Sequence, residues 1–139
     1  MTTKQIIVEV GLPDPCLNPN NITKTHWAKV RACKKSLREA VVNTIRITQP
    51  KLIGLRWKRA SIKYDFYHSV NRTRDDDNFR AMMKSARDAF GPEHTTKKGN
   101  IVAGVGIVGD DTHITDSEPV GFHIDKNHQR VRITLTRTA

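Results

Sequence analysis

Residues 60–90, ASIKYDFYHSVNRTRDDDNFRAMMKSARDAF, change hydrophobic period partway along. Ile62, Tyr64, Phe66 and His68 alternate with Lys63, Asp65 and Tyr67, which is the two-residue period of a half-buried strand. Beyond Asp77 the apolar positions become Phe79, Met83, Ala86 and Phe90, spaced four, three and four apart. That spacing predicts an amphipathic helix, stopped by Gly91-Pro92. At the junction stand Asp75, Asp76 and Asp77. Neighbouring carboxylates about 6 Å apart repel by roughly 3 kcal/mol at an effective dielectric near 20, so something must offset the cost.

Outward from this stretch, QIIVEV (5–10) has the β-branched content of a strand and is broken by GLPDP. From Thr25 to about Ile47, Val30, Cys33, Leu37, Val41 and Ile45 follow a helical period, with Thr23 or Thr25 as N-cap. Residues 91–106 read as a long glycine-rich loop with a short extended piece at IVAGV. VGFHIDKN and QRVRITLTRT read as closing antiparallel strands. The expectation is one small α+β domain over 1–139, with a mixed or antiparallel sheet and two main helices.

Composition narrows the function classes. The chain has 139 residues, 37% of them hydrophobic, enough for one modest core. Neither a signal-peptide pattern nor an apolar run near the roughly 18 residues of a membrane span is visible, so no membrane partner and a cytoplasmic location are expected. Cys16 and Cys33 form no CxxC, and the scattered histidines have no ligand spacing, which argues for reduced thiols and against structural zinc. Lys plus Arg outnumber Asp plus Glu by 24 to 14, a balance that favours a polyanionic partner.

The basic charge is concentrated. Lys24, Lys29, Arg31, Lys34, Lys35 and Arg38 fall in a segment with no acidic residue, and Trp27, Arg31, Lys34 and Arg38 share one helix face. Trp27 suits a base-stacking platform and a packing residue equally.

The carboxylates suggest chemistry. In an extended or turn segment Asp75 and Asp77 point to one side and Asp76 to the other, and a second acidic pair, Asp110 and Asp111, follows at a turn. Converging carboxylates suit Mg²⁺, which takes one or two of them together with water and phosphate oxygens. The plainer reading is an aspartate N-cap favoured by the helix dipole, a role that one aspartate satisfies. Acidic residues set within basic segments suit phosphodiester hydrolysis, where basic groups hold the polyanion and a divalent cation activates water and stabilises the growing charge. Lys84, about two turns beyond Asp77, can reach back toward it.

RDDDNFRAMMKSARDAF followed by GIVGDDTHI resembles the RusA-type Holliday junction resolvases of bacteria and their phages. LPDPCLNPNNITKTHWAKVRACKKSLREAV is similar to that family's opening segment, in which a proline-asparagine turn leads into an HW-containing basic helix. The resemblance implies a homodimer that cuts four-way junctions or related branched DNA with Mg²⁺ or Mn²⁺. It implies metal-site carboxylates at Asp75, Asp77 and Asp111 with Asp110 adjacent, and Asn78 supporting the helix start. DNA contacts are expected from Asn20, His26, Trp27, Lys29, Arg31, Lys34, Lys35, Arg38, Arg72 and Arg74. The family's lysine three residues after the Asn is Ala81 here, which leaves Lys84 or Arg80 as the substitute basic group. The loop from Gly91 to Gly109 is longer than in the family, and reads either as an added DNA contact or as a surface insertion. The competing reading is a non-catalytic DNA- or RNA-binding protein whose aspartates cap a helix.

Overall fold

A computed structural model describes residues 4–72, 74–116 and 118–139. Three strands and two short edge partners form a five-stranded mixed sheet. β1 (Gln5–Val10) pairs antiparallel with β7 (Arg130–Arg137), and β7 pairs antiparallel with β2 (Ala60–His68). The other edge of β2 carries two short parallel partners, β5 (Ile114–Asp116) against residues 60–62 and β6 (Gly121–Ile124) against residues 65–68. β6 and β7 therefore flank β2 on opposite sides instead of forming the expected antiparallel pair. Alternation reveals which face a strand buries but not its direction or its neighbour, so the pattern left this pairing open.

One face of the sheet holds the core. Ile6 and Val8, Ile62 and Phe66, and Val131, Ile133 and Leu135 are all buried. Against them packs α2 (Trp27–Thr48), burying Val30, Leu37, Val41, Val42 and Ile45. The N-cap is neither threonine but His26, one residue beyond Thr25, and the His26 Nδ1 accepts from Ala28 N–H at 3.1 Å. Thr25 instead donates its hydroxyl to the Asn21 carbonyl in α1 (Pro19–Ile22) at 2.8 Å.

The second predicted helix is divided into α3 (Asp76–Met82) and α4 (Lys84–Asp88), with the fully buried Met83 at the joint. Its apolar face is as the period indicated, with Met83, Ala86 and Phe90 inside.

Residues 91–109 are more ordered than a loop. β3 (His94–Thr95) and β4 (Ile101–Val102) form a short hairpin. The chain then dives into the core with Val105, Ile107 and Val108 buried. This piece hydrogen-bonds on both flanks: Trp57 N–H donates to the Ile107 carbonyl at 2.6 Å, and Val108 N–H to the Phe90 carbonyl at 3.0 Å. Its glycines concealed it, yet Gly104 is there because the Gly91 carbonyl and the Pro92–Glu93 backbone leave no space for a Cβ.

Candidate active-site groove

α3, α4 and the turn at 110–112 enclose an open groove of about 640 Å³ lined by Asp77, Ala81, Lys84, Asp88, Asp111 and Thr112, with Tyr64, Arg80 and Arg87 also on its wall. Helical spacing explains four of these, since Asp77, Ala81, Lys84 and Asp88 recur every three to four residues along α3 and α4. Asp111 arrives from the opposite side. It opens a one-turn 3₁₀ helix, Asp111–His113, that packs against Gly91. A Cβ on Gly91 would stand 3.1 Å from Asp111 Cβ, so the close approach depends on glycine.

The predicted carboxylates thus separate. Asp77 and Asp111 enter the groove together with Lys84. Asp75 and Asp110 are not part of its lining and serve as N-caps: Asp75 Oδ1 accepts from Asn78 N–H at 3.2 Å, and Asp110 Oδ1 from Thr112 N–H at 2.9 Å. The Thr112 backbone and hydroxyl bonds hold the Asp110 carboxyl below its usual range. Asp76 faces away, accepting from Val120 N–H at 2.6 Å and pairing with Arg80 at 2.8 Å. Those bonds are what offset the repulsion among adjacent aspartates.

Asp88 is the residue that sequence reasoning missed. Burial, followed by a hydrogen bond and charge repulsion from Asp111, pushes its carboxyl above the usual carboxylate range. Two acidic groups sharing one site in this way cannot both ionise freely. Lys84 and Arg38 oppose the shift, so both cations lie near enough for Asp88 to sense them. The signal in the sequence was the four-residue step from Lys84 to Asp88 on the helix face that starts at Asp77.

The basic candidates also sort themselves. Arg80 is committed to Asp76, to Asp116 at 3.7 Å and to the Glu118 carbonyl at 3.1 Å, besides a 3.5 Å approach to Asp77. Arg87 binds Asp116 at 2.9 Å and the Ile114 carbonyl. Lys84 is exposed and makes no ion pair among the described residues, which makes it the available amine of the groove.

On α2, Lys29, Arg31, Lys34 and Lys35 are exposed, as are Asn20, His26 and Arg72. Lys35 lies 3.8 Å from Glu39, and Trp27 is 69% exposed, its ring stacked on His26. Solvent exposure removes the packing reading of Trp27. Arg38 is drawn inward, its Nε buried without a hydrogen-bond partner. Arg74 is half-buried, and its guanidinium donates to the Arg72 carbonyl at 3.1 Å.

Among the described residues, no three of the groove carboxylates bring their oxygens within 4.8 Å of one another. The sole group of three metal-ligating side chains at that spacing among the described residues is elsewhere, at Asp14, Cys16 and Cys33. Comparison of the chain with family models and with curated proteins found no match to either.

Proposed function

We propose that the protein is a divalent-cation-dependent endodeoxyribonuclease acting on branched DNA, with four-way junctions as the leading substrate and a homodimer as the working form. The observation that carries the reading is the groove in which Asp77, Asp88 and Asp111 face Lys84 next to an exposed basic helix. The resemblance to RusA-type resolvases, carried in part by the same aspartates, supports it, and two-fold symmetry of a dimer suits paired cuts across a junction.

The donor set fits Mg²⁺ or Mn²⁺. Asp88 and Asp111 share a partly desolvated site in which one carboxyl is held toward its neutral form, and a hard cation removes that conflict. Asp88 and Asp111 would hold the ion directly, and Asp77, set too far for all three carboxylates to bind at once, would reach it through water, with substrate phosphate completing its ligands. When bound, the cation supplies the charge that activates water and stabilises the developing phosphorane.

The chain's own groups do the rest. Lys84 donates to the scissile phosphate, and Arg38 balances the negative charge of Asp88 from the α2 side. Arg31, Lys34 and Lys29 hold the adjoining backbone, and Trp27 offers a stacking surface for an unpaired base. Arg80 and Arg87 are tied to acidic partners and keep α3 and α4 in place.

Incubation of a labelled four-way junction with Mg²⁺ tests the proposal. Asp77→Asn and Asp111→Asn are expected to lose at least about a hundredfold in cleavage rate while retaining junction binding. Cleavage equal to wild type in both variants, or none by wild type with either metal, overturns it. The caps made by Asp75 and Asp110 favour one competing reading, a non-catalytic nucleic-acid-binding domain. That reading requires metal-independent binding and no cleavage by wild type.

A further inference from the structure

We propose that Asp14, Cys16 and Cys33 form a site for a thiophilic divalent cation of the Zn²⁺ class, separate from the all-oxygen groove. Each residue offers one donor atom, and these atoms lie within 4.8 Å of one another. They come from two elements. Asp14 caps a short 3₁₀ turn, Pro15–Leu17, by accepting from Cys16 N–H at 2.9 Å, and Cys33 projects from the second turn of α2.

The three side chains already interact. Asp14 accepts from the Cys16 N–H, and the Cys33 thiol stands within 4.8 Å of both the Cys16 thiol and the Asp14 carboxylate. A cation entering here replaces the two thiol protons, which leave to solvent, and takes two thiolates and a carboxylate as ligands. Those three negative charges are balanced by a divalent ion together with the Lys29 ammonium, whose field reaches Asp14. Two sulfurs and one oxygen select Zn²⁺ over Mg²⁺, since soft thiolates suit the former and hard oxygens the latter. Zinc bonds of about 2.0–2.3 Å set tetrahedral donors under about 4 Å apart, so the cluster contracts by roughly 1 Å or less.

Burial grades the site from inside to outside. Cys16 is buried, Cys33 is half-buried and Asp14 is exposed. The fixed ligand is therefore inside and the fourth position opens to solvent, so an ion can enter without local unfolding. Once bound, it would staple the 3₁₀ turn to the basic helix. Spacing rules miss the site because its residues do not form a paired-cysteine motif and because one ligand is an aspartate.

Titration of the reduced, metal-free full chain with Co²⁺, followed by Zn²⁺ competition, tests this. One equivalent per chain should give a thiolate-to-cobalt charge-transfer band, displaced by Zn²⁺ and unaffected by excess Mg²⁺. Cys33→Ala should abolish the band and Asp14→Asn should weaken Co²⁺ binding at least tenfold, with circular dichroism confirming that each variant is folded. The groove variant Asp111→Asn should retain the band, so failure here is distinguishable from failure of the nuclease reading. No thiolate band in wild type, a band that survives Cys33→Ala, or one lost in Asp111→Asn overturns the proposal. Metal-independent loss of both thiols to a disulfide in the purified protein also overturns it.

Discussion

Asp76 accepts from the Val120 N–H and pairs with Arg80, whereas the adjacent Asp77 side chain is 94% exposed and approaches Arg80 only at 3.5 Å. Substitution should separate the two roles. Asp76→Ala leaves a partly buried N–H without its acceptor and is expected to cost about 1–2 kcal/mol of stability by denaturant unfolding. Asp77→Asn should stay within about 0.5 kcal/mol of wild type while losing cleavage. Asp88 makes a pH-dependent contribution of unusual sign. Its folded-state carboxyl holds its proton to higher pH than in the unfolded chain, so stability falls as pH rises from the ordinary carboxylate range through that raised value. In chelator, Asp88→Asn should remove this fall and raise Tm over wild type near neutral pH, with the gain shrinking as pH falls into the ordinary carboxylate range in calorimetric scans.

Among the elements, β1, β2, β7 and α2 were legible because each buries one face and exposes the other, as Ile6 and Val8 or Val131, Ile133 and Leu135 show. What the residues could not reveal was decided by long-range contacts. The parallel placement of β6 depends on which edge of β2 remains free after β7 pairs. Asp88 reads as an ordinary polar position of a helix until the 110–112 turn lands beside it across Gly91. His26 escaped notice as an N-cap because its ring nitrogen takes the place usually held by a short hydroxyl or carboxylate. The exposed side of α2 carries its own prediction. Arg31→Ala and Lys34→Ala should each weaken junction binding and shallow the dependence of log K on log salt by about one unit, as measured by fluorescence anisotropy. Arg38→Ala should instead act mainly on cleavage, since its Nε is buried and its charge reaches Asp88.

For the molecule as a whole, a net charge of +10 draws it to polyanions, yet the charge is not spread evenly over its surfaces. On the sheet face opposite the helices, Glu9 binds Arg130 at 2.8 Å and Arg132 at 3.1 Å, and Arg130 lies 4.0 Å above the Tyr67 ring. These cations are partly neutralised in place, whereas Lys29, Arg31 and Lys34 on α2 are exposed and make no ion pair among the described residues. The hairpin of β3 and β4 adds Lys97 and Lys98 at its exposed tip. Gly91 and Gly104 meet so closely that the chain leaves the body and returns to it through one gap, and Gly106 N–H seals that gap by donating to the Gly91 carbonyl at 2.9 Å. The excursion between them is therefore an interchangeable appendage. Replacing residues 95–101 with Asn-Gly should change unfolding free energy by no more than about 1 kcal/mol, because closure of the gap does not depend on what lies beyond it. Such a trimmed chain would keep its groove and lose only its two lysines, so if the proposed nuclease reading holds, the stretch of DNA backbone it contacts can be lengthened or shortened without rebuilding its core.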